Sequence, residues 1–328
     1  MQNKLIATLL ATTLMGGAAL AQDTIELKFT TASVPSDIHT RAMQVFADAL
    51  NAAAPDRFDV QLYDSGSLFG QGADLDALQR GNAEVTYLSF QLISDSIPAY
   101  NLLTAGYLFQ NPEHYRAFLA SDIGAEFTQT VADEMDVQIL DTCYLGTRQL
   151  NLRRVRDVQT PADLQGVKLR MPGSDAWLFL GDALGASPTP LPFGEVYLAL
   201  QTGTIDAQDN PLPTVEAAKF YEVTQQIVLT SHLVDGVNIV VNNQTWEKLN
   251  DDEQTAMRDA AIAACDWNNE QRLAEEARLV AFFESEGLQV TEPDLDAFRS
   301  HVQAFYADSP RSADWPEGWV DAINALAE

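Results

Sequence analysis

The clearest chemistry in this sequence belongs to arginines in one locally basic stretch. Residues 148–170 contain six cations and only two acids, in a chain whose formal net charge is −28. Arg153, Arg154 and Arg156 crowd near a turn, and we interpret them as surface cations whose pairing with the acidic exterior contributes little. Arg170 differs, because it lies between two apolar residues at the end of a predicted strand.

A charge at the position of Arg170 is expected to be partly buried, and a buried charge needs a partner. Guanidinium presents a planar fork that matches the two oxygens of a carboxylate, and each charge-assisted hydrogen bond contributes about 1.5–3 kcal/mol. Arg148 follows Gly146 closely at the end of another strand and could face the same cleft. The two arginines therefore predict a carboxylate site inside a protein that otherwise repels anions.

Sequence motifs of common enzymes are absent. The four histidines form no HExxH, and the chain has no GxSxG, Walker loop or CxxC. Cys143 and Cys265 lack metal-ligand spacing, and we expect two free thiols, with a disulfide as the alternative in an oxidising compartment. We therefore predict a binding protein without catalytic residue, metal or cofactor; a secreted hydrolase with paired acids is the alternative.

The N-terminal segment predicts export. Lys4 precedes the uncharged apolar run 5–20, and Ala19-Leu20-Ala21 is a small-x-small cleavage site, so residues 1–21 are interpreted as a signal peptide. A membrane anchor is the alternative, although the run is short for a span. The acidic surface excludes nucleic acid and anionic membranes as partners. We expect a periplasmic monomer that is not inserted in the membrane.

Strand and helix patterns alternate along the chain. Residues 25–29 and 58–62 alternate apolar with polar side chains, as strands do, and an amphipathic helix pattern separates them. This alternation predicts an α/β protein, and the length predicts two domains. Asn250 and Glu253 form a capping box for a helix that meets no proline or glycine until Gly287, long enough to cross both.

One long segment resembles a known family. KLRMP at 168–172, LGASPTPLPFGEVYLALQTGTIDAQDNPL at 184–212 and GTR at 146–148 resemble motifs of the extracytoplasmic solute receptors of TRAP transporters, the dicarboxylate-type (DctP) family. GSLFGQGADLDALQRGNAEV at 66–85 is similar in style, and the resemblance extends from Thr24 to the C-terminus.

The resemblance implies a two-lobed periplasmic binding protein fold, with hinge strands between the lobes and a long helix spanning both. The lobes would comprise 22–146 with about 232–265, and 147–231 with about 266–328. It also implies a partner, a membrane permease with a small and a large subunit that is driven by an ion gradient. A receptor for an ATP-driven importer is the alternative within the same fold.

The resemblance further implies roles for three residues. Arg170 would form a bidentate salt bridge with the solute carboxylate, Asn210 would hydrogen-bond the same group, and Arg148 would be a second arginine that reaches the solute. Asp209 stands where the family often has glutamate, and Ala207 stands where it often has glycine. These departures concern the polar contacts around Asn210 rather than the fold.

Further candidates for ligand contacts come from position in the pattern. Each could instead be an ordinary core, capping or solvent-facing side chain. The candidates are Gln71, His39, Tyr87, Ser89, Phe193 and His232. Trp177 is interpreted as a packing residue. The motif style and these polar groups favour a sugar acid such as a uronate or aldonate, and a C4-dicarboxylate is the alternative.

Overall fold

The structure is a computed structural model that describes residues 24–327. The predicted signal peptide, residues 1–21, lies outside this range. Strands and helices alternate through most of the described chain, as the sequence pattern predicts. Within residues 24–327, no helix combines the length and the apolar character needed to cross a bilayer.

All strands of the described chain join one sheet. They are β1 Ile25–Thr30, β2 Phe58–Tyr63, β3 Val85–Ser89, β4 Val137–Leu152, β5 Lys168–Met171, β6 Ser187–Pro190, β7 Ala207–Pro211, β8 Gln226–Asn242 and β9 Gln289–Thr291. Their order is β2-β1-β3-β8-β4-β7-β5-β6, with β9 beside β8. The long strands β4 and β8 lie at its centre and pair antiparallel, whereas β1–β2, β1–β3, β5–β6 and β5–β7 pair parallel.

Helices cover this sheet. They are α1 Ile38–Ala53, α2 Asp74–Gln79, α3 Phe90–Ser96, α4 Pro112–Leu119, α5 Asp122–Met135, α6 Asp175–Ala183, α7 Val196–Thr202, α8 Leu212–Ala217, α9 Asn243–Trp246, α10 Asp251–Ser285, α11 Leu295–Ala307 and α12 Trp319–Ala325. Short 3₁₀ helices lie at Pro98–Thr104, Pro161–Leu164, Phe193–Glu195, Phe220–Val223 and Pro310–Asp314. Ser121 caps α5 and separates it from α4, so the stretch from Asn111 to Met135 forms two helices.

The central strands β4 and β8 bend between two halves of the molecule, one containing β1, β2 and β3 and the other containing β5, β6 and β7. The pairing of β4 with β8 shifts register between Ile139 and Asp141, between Tyr144 and Gly146, and between Arg148 and Leu150. Such irregularities kink a strand and increase its twist. Gly146 has φ +129°, and a Cβ there would lie 2.5 Å from the Pro211 Cβ, so only glycine permits this approach.

Helix α10 connects the cores of the two halves. Its capping box is present: Glu253 N donates to Asn250 Oδ1 at 3.0 Å, and Asn250 N donates to Glu253 Oε2 at 2.9 Å. Its 35 residues extend about 52 Å at the usual rise per residue. Met257 packs in a cluster with Phe29 of β1, and Phe283 packs in another cluster with Phe220. The prediction of a long helix that spans both halves is confirmed.

The two cysteines form a disulfide, so the expectation of free thiols is wrong. Cys143 lies on β4 and Cys265 on α10, with Cα atoms 4.5 Å apart. Both are buried in the cluster where α10 packs against the sheet. The sequence separation of 122 residues concealed this proximity, because only the packing of the long helix on β4 brings the two positions together.

Candidate functional site

A cleft opens where the bent central strands separate the two halves. It contains about 710 Å³ of space free of protein atoms, counting the part open to solvent. Seven of the nine predicted site residues line it: His39, Gln71, Tyr87, Ser89, Arg148, Phe193 and Asn210. Arg170 is not among the lining residues but contacts two of them, Gln71 and Phe193, and His232 is fully buried outside the lining.

Arg170 is held at the end of β5 by neutral groups. Its side chain is almost fully buried, with 1% of the residue exposed. Nε donates to the carbonyl oxygen of Leu191 at 2.8 Å, and Nη2 donates to Oε1 of Gln71 at 2.7 Å. Within residues 24–327, no carboxylate lies at salt-bridge distance from this guanidinium, and Nη1 has no hydrogen-bond partner.

Keeping Arg170 charged in this buried position is therefore unfavourable in free energy. Burial lowers the pKa of its guanidinium, Asp209 offsets part of this effect, and the positive charge of Arg148 adds to the lowering, so that the pKa is about 9. A pKa of about 9 still leaves the group positive at neutral pH. A buried cation without an adjacent anion is the electrostatic situation that an anionic ligand relieves.

Arg148, on β4, is paired within the protein. Nε donates to Asp235 Oδ2 at 2.7 Å, and Nη1 lies 3.4 Å from Asp209 Oδ2. Nη1 also donates to Asn210 Oδ1 at 3.3 Å, and the guanidinium lies 4.2 Å from the ring centre of Trp177. Burial opposes the charge of Arg148, but the two carboxylates outweigh it and raise its pKa. Arg148 thus has counter-ions that Arg170 lacks.

His232 supports this network and does not reach the cleft. It is fully buried, with Nε2 3.1 Å from Asp209 Oδ2 and Nδ1 2.8 Å from Thr230 Oγ1. Burial would raise the pKa of Asp209, but Arg148 and His232 together lower it. The prediction that His232 contacts the ligand is not supported by this position. The residue orients the carboxylate that in turn holds Arg148.

His39 is fixed by a second buried network. Its Nδ1 lies 3.0 Å from Asp37 Oδ1 and 2.9 Å from Arg272 Nη2, and Arg272 also forms an ion pair with Asp37. Arg272 Nη1 donates to Thr214 Oγ1 at 3.1 Å, which links α10 to α8. The Nε2 atom of His39 has no partner within the described chain. This ring is therefore oriented to offer Nε2 to the cleft.

The remaining predicted contacts are partly engaged elsewhere. The Tyr87 hydroxyl donates to the carbonyl oxygen of His39 at 2.7 Å, and the Ser89 hydroxyl caps α3 by accepting from Leu92 N at 3.3 Å. Asn210 donates through Nδ2 to Gln208 Oε1 at 2.5 Å. These residues form the wall of the cleft, and their polar atoms already have protein partners.

Sequence reasoning missed other residues of the wall. Asp235 and Asp74 bring carboxyl groups to it, and burial raises the pKa of both. Ser33 is buried, and its hydroxyl has no partner within residues 24–327. Trp177, interpreted as a packing residue, does pack in a core cluster and also lines the cleft. A lone acid within the apolar strand β8 was the available signal for Asp235.

Comparisons with known proteins agree with this geometry. The profile of the bacterial extracellular solute-binding proteins of family 7, DctP, matches residues 29–312. The sialic acid-binding periplasmic protein SiaP of Vibrio cholerae is 33% identical over 294 residues, which cover 90% of this chain and 91% of the relative.

Solved structures show the same architecture. A TRAP periplasmic solute-binding protein from Roseobacter denitrificans, solved with bound 3-deoxy-D-manno-oct-2-ulosonic acid (KDO), is 44% identical, with a TM-score of 0.89 over 93% of this chain and 100% of that one. A second protein from that organism, solved with L-galactonate, is 28% identical, with a TM-score of 0.84 over 94% of this chain and 100% of that one. The chain therefore belongs to the DctP family of TRAP-transporter periplasmic solute-binding proteins, which share this two-lobed α/β fold.

Proposed function

We propose that this protein is a TRAP-transporter receptor that binds a sugar acid through Arg170 and delivers it to the membrane permease. The supporting observation is the buried guanidinium of Arg170, whose protein partners are a backbone carbonyl and a side-chain amide. A ligand carboxylate at Nη1 would supply the missing counter-ion. Closing the cleft would exclude water and strengthen the pair, because opposite charges attract more strongly at lower dielectric.

The rest of the cleft favours hydroxyl groups over a second carboxylate. Asp74 and Asp235 contribute acidic side chains to the wall, and Arg148 is shared between two protein carboxylates. A hydroxyl can donate to an acid and can pair with Nε2 of His39 in either tautomer, whereas a second ligand carboxylate would be repelled. The ligands of the two Roseobacter relatives, KDO and L-galactonate, have this monocarboxylate and polyhydroxyl chemistry. A C4-dicarboxylate is the less favoured ligand.

We propose two lobes separated along β4 and β8. The division follows 22–146 with about 232–265, and 147–231 with about 266–328, with one change at the C-terminus. Trp319 and Ile323 of α12 pack in a cluster with Phe118 of α4, so we place α12 with the first lobe. The second lobe then carries β5, β6 and β7, and the hinge lies at the register shifts near Gly146.

The proposed receptor performs no chemistry on its ligand. Members of the family are periplasmic solute-binding proteins, and for this chain we propose export through cleavage after Ala21. We further propose that it acts as a monomer and that the closed form is recognised by the small and large permease subunits.

Thermal-shift screening of the purified protein tests the ligand class. The panel contains KDO, N-acetylneuraminate, L-galactonate, D-glucuronate, succinate and neutral D-galactose. The proposal predicts stabilisation by one or more sugar acids, less by succinate and none by galactose. Equal stabilisation by galactose would contradict a carboxylate anchor, and stabilisation by succinate alone would contradict the sugar-acid assignment.

Calorimetric titration of Arg170→Met with the best acid tests the anchor. Loss of an ion pair in a closed cleft predicts weakening by several kcal/mol, about a hundredfold or more in Kd. Arg154→Met is the matched control, because Arg154 is exposed and does not line the cleft. An Arg170→Met protein that binds as tightly as this control would refute the proposal.

A further inference from the structure

Gln71 bridges the cleft from the first lobe to the second. It lies in the loop between β2 and α2, between Gly70 and Gly72. Its single side-chain oxygen accepts from two donors of the second lobe, Arg170 Nη2 at 2.7 Å and the backbone amide of Phe193 at 2.9 Å. One amide group thus holds both the guanidinium and the start of a 3₁₀ helix that lines the cleft.

These contacts fix the orientation of the guanidinium. Leu191 accepts from Nε, and Gln71 accepts from Nη2. Because a guanidinium is planar and rigid, two anchored nitrogens determine where the third one points. The nitrogen left without a protein partner is Nη1, the atom proposed to meet the ligand.

The chemical type of the residue matters as much as its position. The Gln71 amide oxygen satisfies a buried donor without bringing a charge, whereas Arg148 shows what carboxylates do in the same cleft. Asp235 and Asp209 both lie within salt-bridge distance of Arg148 and supply its counter-charge. A glutamate at position 71 would be nearly the same size and would neutralise Arg170 before any ligand arrived.

We propose that Gln71 is a positioning residue that couples lobe closure to carboxylate recognition. When the lobes close, its oxygen orients Arg170 toward the ligand, and its neutrality keeps the cation available to an incoming acid. This inference rests on the proposed role of Arg170 and concerns a contact between protein groups, in place of the ligand-hydroxyl contact predicted for Gln71 from the sequence.

Two variants separate positioning from simple structural support. Gln71→Glu keeps the acceptor and adds a charge, so we expect an unchanged or higher melting temperature but a Kd about tenfold to a hundredfold weaker at pH 7.5. Gln71→Met removes the acceptor and leaves Nη2 unpaired, so both the melting temperature and the affinity should fall. A purely structural role would make affinity follow stability in both variants.

Lowering the pH supplies a second readout. A protonated glutamate is again a neutral acceptor, so the ratio of the Kd of Gln71→Glu to that of the wild type should fall as the pH is lowered. The ratio is the readout because the wall acids Asp74 and Asp235 titrate in both proteins. Gln201→Glu is the control for added charge, because Gln201 is exposed and lies outside the cleft.

The titrations use KDO, N-acetylneuraminate, L-galactonate and D-glucuronate, with Arg170→Met measured in parallel. Weak binding by both Arg170→Met and Gln71→Glu, with the latter restored at low pH, supports the inference. Weak binding by Arg170→Met alongside wild-type binding by Gln71→Glu overturns the inference and leaves the proposed function standing. Wild-type binding by Arg170→Met, or no binding of any acid to the wild type, overturns both.

Discussion

Removal of the disulfide between Cys143 and Cys265 should destabilise the protein without altering its ligand site. Neither cysteine lines the cleft, and both are buried where α10 packs on the sheet. The change to test is the double substitution Cys143→Ala and Cys265→Ala, compared with the wild type in oxidised form and after treatment with a reductant.

The magnitude follows from the length of chain that the bond closes. A cross-link over 122 residues removes unfolded-state entropy equivalent to an upper value of about 5 kcal/mol at 25 °C, and measured effects are typically 2–4 kcal/mol. At an unfolding entropy of about 2.1 cal/mol/K per residue, a loss of about 2–4 kcal/mol in a protein of this size corresponds to a fall in Tm of about 3–6 °C.

Differential scanning calorimetry measures this change, and a thiol titration of the native protein reports the redox state. The double variant and the reduced wild type should melt at similar, lowered temperatures, with Kd for the best acid unchanged. Two titratable thiols in protein exported to an oxidising compartment, or a Tm insensitive to both treatments, would refute the reasoning.

Three further predictions concern single residues. Burial and the nearby Asp266 raise the pKa of Asp141 to about 6, so its ionisation destabilises the fold as the pH rises from about 4 to 6. Asp141→Asn should therefore raise the free energy of unfolding by about 1–3 kcal/mol at pH 7.5 and leave it unchanged at pH 4. Equal effects at both pH values would contradict this. Arg272 and His39 outweigh burial and hold the pKa of Asp37 far below its usual range, so its stabilising contribution should be lost as the pH falls below about 4. Asp37→Asn should lower the free energy of unfolding at pH 7 by about 3–5 kcal/mol in denaturant titrations. A decrease below about 1 kcal/mol would argue against the buried ion pair of Asp37 with Arg272. Ligand titration should change tryptophan emission, and Trp177→Phe should lose most of that change; an undiminished signal would place the ligand away from this ring.

Local patterns in the sequence predicted much of the fold. The capping box at Asn250 marked the start of the long helix, and alternation over residues 25–29 and 58–62 marked two parallel neighbours of the sheet. Period and capping are properties of adjacent residues, so they can be read without knowing what packs against them. The family assignment rested on ordered motifs, and the comparisons confirm it.

Arg170 was predicted to be partly buried because it lies between two apolar residues at the end of a strand, and the structure shows it almost fully buried. The partners of that charge were not predictable. Gln71 is 99 residues from Arg170 along the chain, and Asp235 is 87 residues from Arg148. These pairs exist because β4 and β8 run antiparallel and two lobes face each other, which no local pattern encodes. The disulfide was missed for the same reason.

The most direct test of the account is a crystal structure of the protein with bound KDO or L-galactonate. The account predicts a ligand carboxylate oxygen about 3 Å from Arg170 Nη1, with Gln71 still accepting from Nη2 and hydroxyl groups facing Asp74 and Asp235. A carboxylate bound elsewhere, with Arg170 contacting only Leu191 and Gln71, would contradict it.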